Sequence, residues 1–309
     1  MKNQIVDVLR NNERFEIITH EGPDEDAVGS TRALAFGLLT MGKNVKLVYP
    51  SRIPASLLFT PAPKVQKNVN PQISILVDVS DMKMLGGIHP RGEIVVVDHH
   101  KTDNKVGTMC WIDSRKSSAA EMVYELLRAL EVEITPAIAA NLYLGLFGDT
   151  GGFIHANTTP KVFKLAYELT KAGADPNSIA YKVRRTRSIV YYQVLGIVMD
   201  RMIISGRVYG SYISLQELNR IKAKPDDAAG IVEEMATLAG AELVIFLKEL
   251  NPDTVHCSMR SKTTDSALRT AKAFGGGGHE RAAGITMKGR ACEFIDEVIE
   301  EGSKWVNKG

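Results

Sequence analysis

Four short apolar runs constrain this chain most: Phe15–Thr19 (FEIIT), Asn44–Tyr49 (NVKLVY), Ile73–Val77 (ISILV) and Ile94–Val97 (IVVV). Each is too short for a helix and is rich in the branched residues that favour strands. Segments of helical length lie among and after them. Ala27–Met41 is rich in Ala and Leu and is stopped by Gly42; Ser118–Leu130 carries Ser117 or Ser118 as its cap; Pro136–Phe147 and Thr159–Ala172 follow. Met1–Asn11 reads as a short amphipathic helix. Strands that alternate with helices predict a mostly parallel sheet covered on both faces.

Beyond residue 182 the pattern changes. A basic run, Lys182–Arg187 (KVRRTR), leads into a helical stretch, Ser188–Asp200. Two strands, Arg201–Ser205 and Tyr209–Leu215, form a hairpin over Gly206. A helix at Asp226–Ala239, strands at Glu242–Glu249 and Thr254–Arg260, a helix at Ser266–Phe274, a glycine run, a strand at Gly284–Met287 and a helix from Ala291 complete the chain. The expectation is an α/β protein: residues 1–182 form a domain with a parallel sheet flanked by helices, 183–200 a linker helix, and 201–309 a smaller α/β domain, with a cleft between the two. Such sizes are normal for domains.

Composition excludes several classes. With 38 basic and 36 acidic residues the net charge is +2, so any grip on phosphate comes from local placement and a long nucleic-acid track is not expected. Aromatic residues are only 6%, which argues against a stacking channel for single strands. No apolar stretch approaches membrane-spanning length, and the charged N-terminus lacks an export signal. Cys110, Cys257 and Cys292 are odd in number and far apart, which fits a reducing cytoplasm better than a disulfide framework.

Acidic and histidine residues recur at one kind of place. His20, Asp24 and Asp26 follow the first strand, Asp78 the third, and Asp98, His99 and His100 the fourth; Asp149 follows the apolar helix ending at Phe147. In a parallel α/β sheet the carboxyl ends of the strands share one edge, where ligands bind. An isolated Asp after a strand is ordinarily a cap or loop residue. Four segments with the same placement point instead to a cluster. Neighbouring carboxylates repel unless cations hold them, and oxygen with imidazole ligands suits Mn, Fe or Mg. Four aspartates match two divalent cations in charge. Such a two-metal centre, with a bridging water as nucleophile, suits phosphoester hydrolysis.

These residues carry a resemblance. His20-x-x-Pro23-Asp24-x-Asp26-Ala27-x-Gly29-Ser30, Asp78, Asp98-His99-His100 and Gly148-Asp149-Thr150-Gly151 resemble, in kind and order, the four motifs of the DHH phosphoesterases. Gly275–Gly284 (GGGGHERAAG) resembles the signature of the DHH-associated domain. The combination is similar to the nanoRNase/pAp-phosphatase branch and covers nearly the whole chain. The resemblance implies that His20 and Asp24 bind one metal, that Asp26, His99 and Asp149 bind the other, and that Asp78 bridges them. It implies two Mn²⁺ ions and a homodimer; the sequence alone equally permits Mg²⁺ or Fe²⁺. Asp98 would orient an imidazole from behind the site, and His100 would face the substrate phosphate and protonate the leaving oxygen. The family often has glycine where this chain has Glu25; that side chain should point away from the metals.

The second domain would hold the substrate. Glycines such as Gly277 and Gly278 let backbone amides approach phosphate, and His279 follows them. Arg260 ends a strand, and the resemblance implies that an arginine there grips phosphate through its planar fork; by itself it reads equally as a surface ion pair. Ser118 either caps a helix or offers its hydroxyl to phosphate. The expected substrates are short RNA, cut to mononucleotides, or 3′-phosphoadenosine 5′-phosphate, with cyclic or linear dinucleotides as the alternative. A nucleotide-binding sensor without turnover is the reading from a different class, and the intact set of six expected ligands argues against it.

Overall fold

The computed structural model describes residues 1–102, 106–184 and 187–306. The chain forms two compact units, Met1–Thr186 and Arg187–Gly309.

The first unit is built on five strands: β1 (Arg14–Ile18), β2 (Asn44–Val48), β3 (Ile73–Val77), β4 (Glu93–Asp98) and β5 (Met109–Ile112). Their order is β2-β1-β3-β4-β5, and every pairing is parallel. All of β3 is buried, which is why its sequence shows no polar alternation. Strand β5 is not expected from sequence. It is a half-buried four-residue edge strand whose identity comes from pairing with β4. The order departs in opposite directions from β1 and β3, which leaves a crevice at their carboxyl ends.

The helices are α1 (Lys2–Asn11), α2 (Glu25–Thr40), α3 (Ala119–Ala129), α4 (Pro136–Asp149), α5 (Pro160–Lys171) and α6 (Pro176–Arg184). Helices α2 and α4 are buried on nearly every face and pack against each other. Helix α2 begins at Glu25, two residues before the sequence-based start, because Asp24 caps it: Asp24 Oδ1 accepts the amides of Asp26 (3.1 Å) and Ala27 (3.0 Å). Helix α6 takes up Lys182–Arg184 of the basic run; Arg185 and Thr186 lie outside the described residues.

The second unit is a mixed six-stranded sheet: β6 (Ile203–Ser205), β7 (Val208–Ile213), β8 (Leu243–Asn251), β9 (Thr254–Ser261), β10 (Gly277–His279) and β11 (Ala282–Lys288), in the order β10-β11-β9-β8-β7-β6. The β7/β8 pair is parallel and the others are antiparallel. Helices α7 (Ile189–Asp200), α8 (Leu215–Arg220) and α9 (Ile231–Ala236) share a core on one face of the sheet. Helices α10 (Ser266–Ala273) and α11 (Ala291–Val306) cover the other. The helix expected as a linker, α7, therefore packs into this unit through Tyr191, Val194 and Val198. The helix expected over Asp226–Ala239 is split. A short 3-10 turn at Pro225–Ala228 precedes α9, and Gly230 sits between them at φ 87°, a conformation that breaks helical continuity. Helix α8 is also not among the expected elements; a capping box between Ser214 and Glu217 signals it.

Candidate metal centre

The three strand ends and the end of α4 deliver their polar residues to one place. His20 follows β1, Asp78 follows β3, Asp98 closes β4 ahead of His99 and His100, and Asp149 closes α4. His20 Nε2 lies 3.5 Å from Asp78 Oδ2 and 3.8 Å from Asp24 Oδ1. His99 Nε2 lies 2.9 Å from Asp149 Oδ2, 3.5 Å from Asp78 Oδ1 and 3.8 Å from Asp26 Oδ2. All six residues expected as metal ligands thus meet in one network, and Asp78 presents one oxygen to each histidine. Their potential ligand atoms form the groups His20–Asp24–Asp78 and Asp26–His99–Asp149, each with its atoms within 4.8 Å of one another. A third group, Asp78–His99–His100, meets the same limit, so the structure also places His100 at ligand range of Asp78.

Local structure aims each group. Asp26 is fully buried, and the first amides of α3 hold both of its oxygens: Ala119 N donates to Oδ2 at 2.5 Å and Ala120 N to Oδ1 at 2.9 Å. His20 Nδ1 lies 3.0 Å from the carbonyl oxygen of Glu21. A carbonyl only accepts, so Nδ1 carries a hydrogen and Nε2 is turned toward the carboxylates. Asp78 has φ 62°, a left-handed conformation that Asp tolerates better than most residues and that is typical of functional turns. Asp98 is buried, and its Oδ1 accepts from His100 N (3.3 Å) and pairs with His100 Nδ1 (2.8 Å). The imidazole that Asp98 orients is therefore that of His100.

The donor set fits cations. Asp78 Oδ1 and His99 Nε2 are buried and have no hydrogen-bond partner among the described residues. At 2.9 Å, His99 and Asp149 are close without hydrogen-bonding geometry. Such orphaned atoms are rare in native interiors, and a cation held by these residues would satisfy both. The electrostatics agree. Burial, followed by the charges of Asp149 and Asp78, pushes the Asp26 carboxyl well above its usual range. Burial alone would raise Asp78 and lower the histidines, but their mutual attraction wins. Asp78 is held below the usual carboxylate range, while His20 is pushed up to about 11 and His99 to about 12. Protons thus occupy the positions that a metal needs. Cation binding at pH 7.5 should therefore release protons, and affinity should fall as the pH is lowered. Calorimetric titration of Mn²⁺ in two buffers of different ionisation enthalpy measures this; equal heats in both buffers would contradict it.

Other sequence-based candidates are placed as follows. Glu25 joins none of the three groups, and burial raises its carboxyl. Ser118 is fully buried and caps α3, its Oγ accepting from Glu121 N at 3.1 Å, which is the first of its two expected readings. Arg260 donates from Nη2 to Glu233 Oε1 (2.7 Å) and from Nη1 to Met259 O (2.8 Å), and with Lys248 and Ser258 it lines a cavity of about 200 Å³ in the second unit. The glycine run is not a loop throughout. Gly277 and Gly278 lie in the edge strand β10, and Gly278, at φ 141°, lies so close to Ala282 and Ala283 of β11 that a side chain would clash. The backbone of His279 pairs with Ala282; its side chain lies outside the described residues. Two residues near the site escape sequence reasoning. His155 Nδ1 lies 3.1 Å from Asp149 O, and Asn157 Nδ2 donates to the same oxygen at 3.2 Å. Their only sequence signal is the turn-forming stretch GGFIHAN after Asp149.

A parallel sheet with an aspartate–histidine cluster at its β1/β3 crevice, joined to a mixed-sheet unit, defines a class: the chain belongs to the DHH family. The model of the DHH family, N-terminal domain, matches residues 14–146, and that of the DHHA1 domain matches residues 207–308. Among its relatives are two named bifunctional oligoribonuclease and PAP phosphatase NrnA. That of Thermus thermophilus is 30% identical over 92% of this chain and 89% of its own. That of Bacillus subtilis is 25% identical over 93% of each. An exopolyphosphatase-related protein from Bacteroides fragilis shares the fold with a TM-score of 0.88 at 22% identity, covering 99% of this chain and 95% of its own. RecJ of Thermus thermophilus, solved with Mn²⁺, has a TM-score of 0.63 at 13% identity, covering all of this chain and 54% of its own.

Proposed function

We propose that this protein is a metal-dependent phosphoesterase that hydrolyses short oligoribonucleotides to mononucleotides and 3′-phosphoadenosine 5′-phosphate to AMP. The observation that carries the reading is Asp78, buried between two histidine–carboxylate groups with one oxygen toward each. The names of the Thermus and Bacillus relatives support the substrate class. His20, Asp24 and Asp78 would hold one divalent cation, and Asp26, His99, Asp149 and Asp78 the other, with Mn²⁺ the proposed ion. A bound pair supplies Lewis acidity to a phosphoryl oxygen and acidifies water.

The chain's own residues do the rest. The α3 amides fix the Asp26 carboxylate, so this ligand needs no reorganisation. The Asp98–His100 pair holds a proton on an oriented imidazole suited to meet a leaving oxygen. Arg260 on β9, with Gly277, Gly278 and His279 on β10 at the sheet edge beyond β11, is the proposed grip on a further phosphate. Its ion pair with Glu233 is partly exposed and therefore weak enough to be exchanged. Among the described residues no helix is long and apolar enough to cross a membrane; a cytoplasmic homodimer is the proposed form.

The test is direct. Purified protein with Mn²⁺ should release mononucleotides from a diribonucleotide and phosphate from 3′-phosphoadenosine 5′-phosphate. Turnover of neither would sink the proposal.

A further inference from the structure

Two backbone carbonyls from different segments converge on one side chain. The amide nitrogen of Asn157 donates to Ser117 O at 3.0 Å and to Asp149 O at 3.2 Å. Ser117 stands just before the cap of α3, and the first amides of α3 hold both oxygens of Asp26. Asp149 is the last residue of α4. Asn157 therefore ties the segment that fixes Asp26 to the residue that bears the Asp149 carboxylate. His155 adds a second contact to the same oxygen, with Nδ1 at 3.1 Å from Asp149 O. Asn157 Oδ1 is buried without a hydrogen-bond partner among the described residues, a cost in free energy that a merely space-filling side chain would avoid.

We propose that Asn157 is a positioning residue for one cation only, the one held by Asp26, His99 and Asp149. It sets the separation of the two carboxylates by bridging the carbonyl of Ser117, which leads into the α3 amides that hold Asp26, to that of Asp149, and His155 assists. The group His20–Asp24–Asp78 is reached from the β1 and β3 ends and does not depend on this bridge. The inference rests on the metal-centre reading above.

The experiment is titration of Mn²⁺ into the metal-free full chain, followed by calorimetry and electron paramagnetic resonance. Wild type should take up two ions per chain and show an exchange-coupled signal. Asn157→Ala should keep one tight site and weaken the other by about 10- to 100-fold, the usual loss when an outer partner of a metal ligand is removed. At one equivalent it should show an uncoupled six-line signal. His155→Ala guards against a folding failure, because His155 is exposed; it should weaken the same site by a smaller factor. A general structural role would lower thermal stability and leave the two sites equally strong or equally weakened, and either result overturns the inference. If wild type binds two ions and Asn157→Ala is unchanged, the inference alone fails. If wild type binds fewer than two, the metal-centre reading fails with it.

Discussion

Replacing Asp78 by Asn should abolish phosphoester hydrolysis, lowering kcat by at least about 10³-fold, beyond what loss of a single stabilising contact removes. It should also weaken uptake of both cations. The reason is geometric. Asp78 Oδ2 lies 3.5 Å from His20 Nε2 and Oδ1 lies 3.5 Å from His99 Nε2, so one carboxylate serves both groups. Asn retains the size of the side chain and tolerates the left-handed backbone at φ 62°. The substitution therefore removes charge with little added strain. Asp78→Ala should be as inactive and less stable, because a left-handed Ala costs about 1–2 kcal/mol. Steady-state kinetics and metal counting on the same preparation check this. A variant within tenfold of wild type and still holding two ions would refute the shared role of Asp78.

Replacing Gly145 by Ala should both destabilise the first unit and disable the site. A methyl group there would lie 2.5 Å from Asp26 Oδ1 and 2.8 Å from Ala120 Cβ. Neither neighbour can yield cheaply. The α3 amides pin Asp26, and Ala120 lies in the first turn of α3. Two effects oppose each other. Helix propensity favours Ala over Gly by about 1 kcal/mol, while overpacking a filled interior costs about 1–3 kcal/mol. The clash should win, because both neighbours are held in place. The expected result is a lower melting temperature and one metal site lost, measured by calorimetry and by Mn²⁺ titration. A higher melting temperature with two ions bound would show that propensity prevails and that the contact relaxes.

Much of the first unit is legible in the sequence because its signals are local. A buried parallel strand must be apolar on both faces, so ISILV and IVVV announce themselves. The residue after each strand must lie at the sheet's carboxyl edge, so strand position alone groups His20, Asp78 and His99. The second unit is less legible. Its sheet is mixed, one parallel pair among antiparallel ones, and no local rule sets that order. The break in the helix expected over Asp226–Ala239 hinges on the backbone angle of Gly230. The glycine run is not legible as a strand, because a strand that carries almost no side chains lacks the usual signal; pairing with β11 makes β10 a strand.

What the sequence determined by itself is the kind of chemistry: the identity and order of His20, Asp24, Asp26, Asp78, His99 and Asp149, and their placement just after strands or at the end of an apolar helix. These follow from short-range periodicity and from the alternation of strand and helix. What only the tertiary structure decided is which elements hold that set in place. The capture of Asp26 by α3 amides joins residues 93 and 94 positions apart. The choice of His100 as the partner of Asp98 and the bridge made by Asn157 are likewise matters of distance and angle. Contacts between segments far apart in the chain leave no periodic trace in it, because they depend on how whole elements pack.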